Sequence, residues 1–105
     1  VSEASAALYA ARNALMSWRR NQVDEAAVDD AIDLLVDAID IALECGPSGA
    51  SGNGFTAMEM VRARVSGAIL MTADGDFHDF IRDVWHGQLH TIDVALAEKL
   101  SGPKL

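Results

Sequence analysis

Residues Asp24 to Cys45 read DEAAVDDAIDLLVDAIDIALEC, and this stretch decides the fold. Val28, Ile32, Leu35, Ile39 and Leu43 recur at steps of three and four, the spacing that lines one side of an α-helix. Asp29, Asp33, Asp37, Asp40 and Glu44 fall on a separate stripe beside that apolar side. The stretch carries eight carboxylates and no basic residue. Everything outside it holds eight acids and eight bases, so this one segment supplies the whole formal charge of −8. A helix so patterned buries its apolar side and is expected to leave its acidic side free.

Working outward toward the N-terminus, residues 2–20 show a second helical period. Ala4, Leu8, Ala11, Leu15 and Trp18 form a face of mostly small residues, suited to close approach by a neighbour. Ser2 is placed to cap the start, and Arg19 and Arg20 sit where a helix C-terminus favours cations. Asn21-Gln22-Val23 is a short break, after which Asp24 reads as an N-cap with Val23 and Val28 as a staple across it. So brief a connection makes these two helices an antiparallel hairpin.

Toward the C-terminus, residues 46–54 read GPSGASGNG, a helix stop and a flexible connector between two hairpins. Thr56-Ala57-Met58-Glu59 is a capping box, with Phe55 and Met60 placed as its staple. Met58, Val61, Val65, Ala68 and Thr72 mark the inner side of helix 3. Ser66-Gly67-Ala68 offers a close approach, and Ala68-Ile69-Leu70-Met71, apolar nearly all round, is expected to be buried on several sides. Ala73-Asp74-Gly75 is a turn, with Asp74 or Asp76 as the cap of helix 4. That last helix runs from about Phe77 to Leu100 on a stripe of Ile81, Trp85, Leu89, Ile92 and Leu96, and Gly87 in its middle marks a kink or a close crossing. The expected fold is all-α: one domain over residues 1–105, a four-helix bundle-like arrangement of two antiparallel hairpins, 2–45 and 55–101.

Composition narrows the function classes. A chain of 105 residues, half of them hydrophobic, is long enough for one modest core. The acidic balance argues against binding nucleic acid or anionic membrane, both of which want a basic surface. It leaves basic proteins and metal ions as the partners such a surface suits. No apolar run reaches the roughly 18 residues of a membrane span. The N-terminal residues, with Glu3 early, are not expected to form a signal peptide. Cys45 is the single cysteine, so no internal disulfide forms, and a cytoplasmic setting with Cys45 as a buried thiol is the expectation.

Two constellations carry chemistry. The first is the acidic stripe Asp29, Asp33, Asp37, Asp40 and Glu44, whose like-charge neighbours cost on the order of 1–2 kcal/mol before screening. A stripe kept at that cost reads as a contact surface for a cationic partner. The second lies on the last helix, where Asp79, Asp83, His86, His90 and Asp93 step by four, three, four and three. Asp83, His86, His90 and Asp93 pair carboxylates with imidazoles one turn apart, a spacing suited to a divalent metal. An unbroken α-helix sets this stripe nearly opposite the Trp85–Leu96 core side, facing solvent.

A third reading is enzymatic. All-α nucleotide pyrophosphohydrolases hold magnesium with paired acids on two helices; here helix 2 has the acids, but helix 3 offers only Glu59. Trp85-His86-Gly87 also resembles the Trp-x-Gly of small secreted helical-hairpin proteins, where the motif forms a turn near mid-chain. Three matched residues, late in a continuing helical pattern, assign no family. The expectation is therefore a small acidic interaction or regulatory module without catalytic activity or cofactor, contacting a basic partner through helix 2 and capable of pairing as a homodimer. A metal-binding bundle on helix 4 and the magnesium-dependent pyrophosphohydrolase are the alternatives.

Overall fold

The computed structural model describes residues 3–20, 25–49 and 55–101, with side chains at all of these except 20 and 97–101. Every regular element among them is helical: α1 (Glu3–Arg20), α2 (Ala26–Cys45), α3 (Ala57–Leu70), α4 (Gly75–Val84) and α5 (His90–Ser101). A π-helical turn, Trp85–Leu89, joins α4 to α5 without a break. The all-α expectation holds, and the π turn is the departure from it.

The buried faces are those the periodicity marks. Leu8, Ala11 and Leu15 of α1 and Val28, Ile32, Leu35 and Ile39 of α2 are buried, as are Met58, Val61, Val65 and Ala68 of α3. Phe77, Ile81, Leu89 and Ile92 complete the same contiguous cluster from the last three elements. Each fully buried Leu, Ile or Phe contributes roughly 1.5–3 kcal/mol of transfer free energy. Helix α2 packs against both α1 and α3, α3 against α4 and α5, and α1 against the π turn. Trp18 near the end of α1 stacks on Phe80 with ring centroids 4.5 Å apart, and meets Phe77 at 6.2 Å.

The connector is more ordered in its first half than its composition implies. Gly46 leaves α2 with φ of 83°, a conformation glycine adopts without a Cβ penalty. The chain then folds back onto the start of α3: the Ala57 N–H donates to the Gly49 carbonyl at 2.7 Å and the Met58 N–H to the Pro47 carbonyl at 2.9 Å. Thr56 and Glu59 form the expected capping box, each side chain accepting from the other's backbone N–H at 3.1 Å. Among the first backbone donors of α3, those of Ala57, Met58 and Glu59 are thus satisfied by connector and cap together. The expectation of a freely flexible connector is corrected for residues 46–49; residues 50–54 lie outside the described set.

Other local expectations change as well. Ser2, Val23 and Asp24 lie outside the described residues, and the residue preceding α2 is Glu25, whose side chain makes no capping hydrogen bond. Leu70 is 86% exposed and Met71 is exposed too, so the end of α3 is not enclosed. A Cβ at Gly67 or Gly87 would meet nothing within 4 Å, so neither glycine marks a helix crossing. Cys45 is exposed rather than buried, with its Sγ donating to the Ile41 carbonyl at 3.0 Å. Asp74 caps α4, accepting from the Phe77 N–H at 3.0 Å. Beside it, the Thr72 hydroxyl donates to the Ala68 carbonyl at 2.7 Å. With that proton committed, the His78 Nε2, 2.9 Å from the hydroxyl oxygen and 3.0 Å from the Thr72 carbonyl, acts as the donor.

Candidate functional site

The acidic stripe of α2 is only partly free. Arg12 of α1 places its Nε 2.8 Å from the Asp40 carboxylate. Arg19, two turns further on, donates through Nη2 to the Asp33 carboxylate and to the Asp29 carbonyl at 3.0 Å. Its Nε lies 3.8 Å from the Asp29 carboxylate, an ion-pair distance too long for a hydrogen bond. Three of the five stripe carboxylates, Asp29, Asp33 and Asp40, therefore answer charges on the neighbouring helix. The signal was present in the sequence, since Arg12 and Arg19 are seven apart and so are Asp33 and Asp40. As numbers rise along α1 their partners' numbers fall along α2, which brings these two pairs together in register.

What α2 leaves outward is a different set. Asp30, Leu34, Asp37, Ile41 and Glu44 are all exposed, and on a helix they fall within roughly 80° of one another. Asp30, Asp37 and Glu44 make no ion pair among the described residues. Leu34 and Ile41 are large apolar side chains at 37% and 36% exposure, set between those carboxylates. The expected stripe shares Asp37 and Glu44 with this face; Asp30, Leu34 and Ile41 also lie on it, and carboxylate spacing alone does not single them out.

On the other side of the molecule the Asp/His stripe is divided by the π turn. The His90 N–H reaches back five residues to the Trp85 carbonyl, so α5 resumes with its faces rotated relative to an unbroken α-helix. His86, His90 and Asp93 consequently line a cleft of about 260 Å³ between α3 and the last helices. They share it with Trp85, whose side an unbroken helix would have set opposite. Arg62 and Ser66 enter from α3, and Arg82 from α4. The imidazoles of His86 and His90 meet edge to face, 6.1 Å between centroids. Asp83 and Asp79 are exposed and do not line this cleft; Asp79 pairs with Arg82 at 3.4 Å. The expected grouping of Asp83, His86, His90 and Asp93 is thus not assembled. Among the described residues no group of three or more His, Cys, Asp and Glu side chains is placed to hold a metal ion.

The acid pairs of a magnesium-dependent pyrophosphohydrolase are not gathered either. Glu59 closes the capping box at the start of α3, and the α2 carboxylates point toward α1 or outward. Trp85-His86-Gly87 opens the π turn inside a continuous helix instead of forming a turn between two helices. No helix among the described residues is long and apolar enough to cross a membrane. No family model, curated protein or solved structure matches the chain.

Proposed function

We propose that the chain is a small interaction module, four helical rods in two antiparallel hairpins, that binds a basic partner protein through the outer face of α2. The observation that carries this reading is the set of carboxylates left over by α1. Once Arg12 and Arg19 take Asp40, Asp33 and Asp29, the exposed Asp30, Asp37 and Glu44 have no ion-pair partner among the described residues and flank Leu34 and Ile41. Apolar anchors ringed by charge supply contact area and orientation together. The partner's complementary surface has an apolar groove edged by Lys or Arg. A second copy of the same face fits poorly, because its carboxylates oppose these. No step in this reading needs catalysis or a cofactor, and the exposed thiol of Cys45 supports a reducing, cytoplasmic setting.

The test uses three baits: the native chain, a variant combining Asp37→Asn, Ile41→Ser and Glu44→Gln, and a control carrying Asp79→Asn on α4. A partner held by the native chain and the control, released by the α2 variant and weakened by salt, is the expected result. The same proteins on all three baits would place the contact elsewhere.

A further inference from the structure

The cleft between α3 and the π turn is a concentration of positive charge on an otherwise acidic chain. Arg62 and Arg82 point into it from two helices, with the hydroxyl of Ser66 and the imidazoles of His86 and His90. Arg62 makes no ion pair among the described residues, while Arg82 has only the exposed Asp79 at 3.4 Å. Among the described residues one acid, Asp93, lines the same cleft. The two guanidiniums and this carboxylate therefore sum to a formal charge of about +1. The metal expectation drawn from these histidines thus reverses sign, because two guanidiniums repel a divalent cation and attract an anion.

We infer that this cleft binds a small phosphorylated molecule, with Arg62 and Arg82 on the phosphate oxygens, Ser66, His86 and His90 as further donors, and the organic part against Trp85. A phosphate offers three terminal oxygens and up to two charges, matching two forked guanidiniums and three lesser donors better than a single carboxylate does. The volume, about 260 Å³, is below the usual range for drug-sized ligands, so the molecule is small. A nucleic acid or other polyanion is disfavoured, because the net charge of −8 acts on its whole length. A single phosphate inside the cleft is shielded from much of that field by a screening length of roughly 8 Å at physiological salt.

The experiment is an NMR titration of the full 105-residue chain, following the Arg side-chain N–H, indole and imidazole resonances. Inorganic phosphate is the first probe. Inorganic sulfate, a second tetrahedral oxyanion of fixed charge, is the second. Saturable shifts confined to Arg62, Arg82, Trp85, His86 and His90 are expected with both anions. Arg62→Gln and Arg82→Gln should each weaken binding about tenfold or more. Arg64→Gln, on the same helix but outside the cleft, should leave binding unchanged. Shifts that never saturate, or an Arg64→Gln loss equal to that of Arg62→Gln, would reduce the effect to general screening and overturn the site. Saturable binding of zinc or nickel at His86 and His90, strengthened by Arg62→Gln, would overturn it in the other direction. None of these outcomes depends on the α2 contact face.

Discussion

Arg19 makes three polar contacts with α2, where Arg12 makes one. Its guanidinium reaches the Asp33 carboxylate, the Asp29 carbonyl and, at ion-pair distance, the Asp29 carboxylate, and its side chain is 29% exposed. Arg12 makes one pair, with Asp40, at 36% exposure. A half-exposed single pair is worth roughly 0.2–1 kcal/mol, whereas hydrogen bonds to charged groups in a better shielded site reach about 1.5–3. Arg19 also leaves its Nε buried without a hydrogen bond, which offsets part of that gain. Arg19→Ala is therefore expected to destabilise by about 1–2 kcal/mol and Arg12→Ala by under about 1 kcal/mol, read from urea unfolding midpoints at constant m. Equal losses would mean that the second carboxylate and the carbonyl contribute nothing.

At the scale of the elements, the connector and the π turn are where local chemistry departs from a simple helical pattern. A Cβ on Gly49 would sit 2.3 Å from the Cys45 carbonyl oxygen, a backbone atom that cannot move aside cheaply. Relieving that overlap displaces the Gly49 carbonyl, which holds the first N–H of α3. Gly49→Ala is accordingly expected to destabilise by roughly 1–3 kcal/mol. Gly87→Ala, whose Cβ meets nothing, should instead gain up to about 1 kcal/mol from reduced backbone entropy in the unfolded chain. Paired thermal melts of the two variants decide it, and shifts of the same sign would contradict this account. The four helical rods, their inner faces and the Thr56–Glu59 box were legible in the sequence because periodicity and capping are local. The π turn was legible only as the kink or crossing expected at Gly87, since a glycine marks where a helix yields but not that it winds by one extra residue. Its consequence, His86, His90 and Asp93 turned in beside Arg62, was lost with it. The end of α3 is exposed for another reason: Leu70 is apolar, but at 100° per residue it lies nearly opposite the buried Met58, Val61, Val65 and Ala68.

For the whole molecule, charge is distributed in layers. The outer face of α2 is acidic, the α1–α2 seam is neutralised by Arg12 and Arg19, and the α3–α4 cleft is positive within a chain of net charge −8. Two opposing effects therefore respond to salt. Screening weakens the seam's ion pairs, but it also relieves self-repulsion of the compact state. The seam comprises a few partly exposed pairs at close range, where screening acts least, whereas the repulsion sums over many exposed carboxylates at longer range, where it acts most. Relief should win, so the melting temperature is expected to rise as sodium chloride goes from about 10 mM to about 300 mM, across which the Debye length falls from roughly 30 Å to under 10 Å. Arg19→Gln should show the steeper rise, since Asp29 and Asp33 then join Asp30 and Asp37, which have no ion-pair partner among the described residues. At about 4–8 °C per kcal/mol for a domain of this size, the difference in slope is resolvable by calorimetry. A melting temperature that falls with salt in the native chain and is flat in Arg19→Gln would show that the α1–α2 seam, not the surplus of carboxylates, governs the electrostatics of this fold.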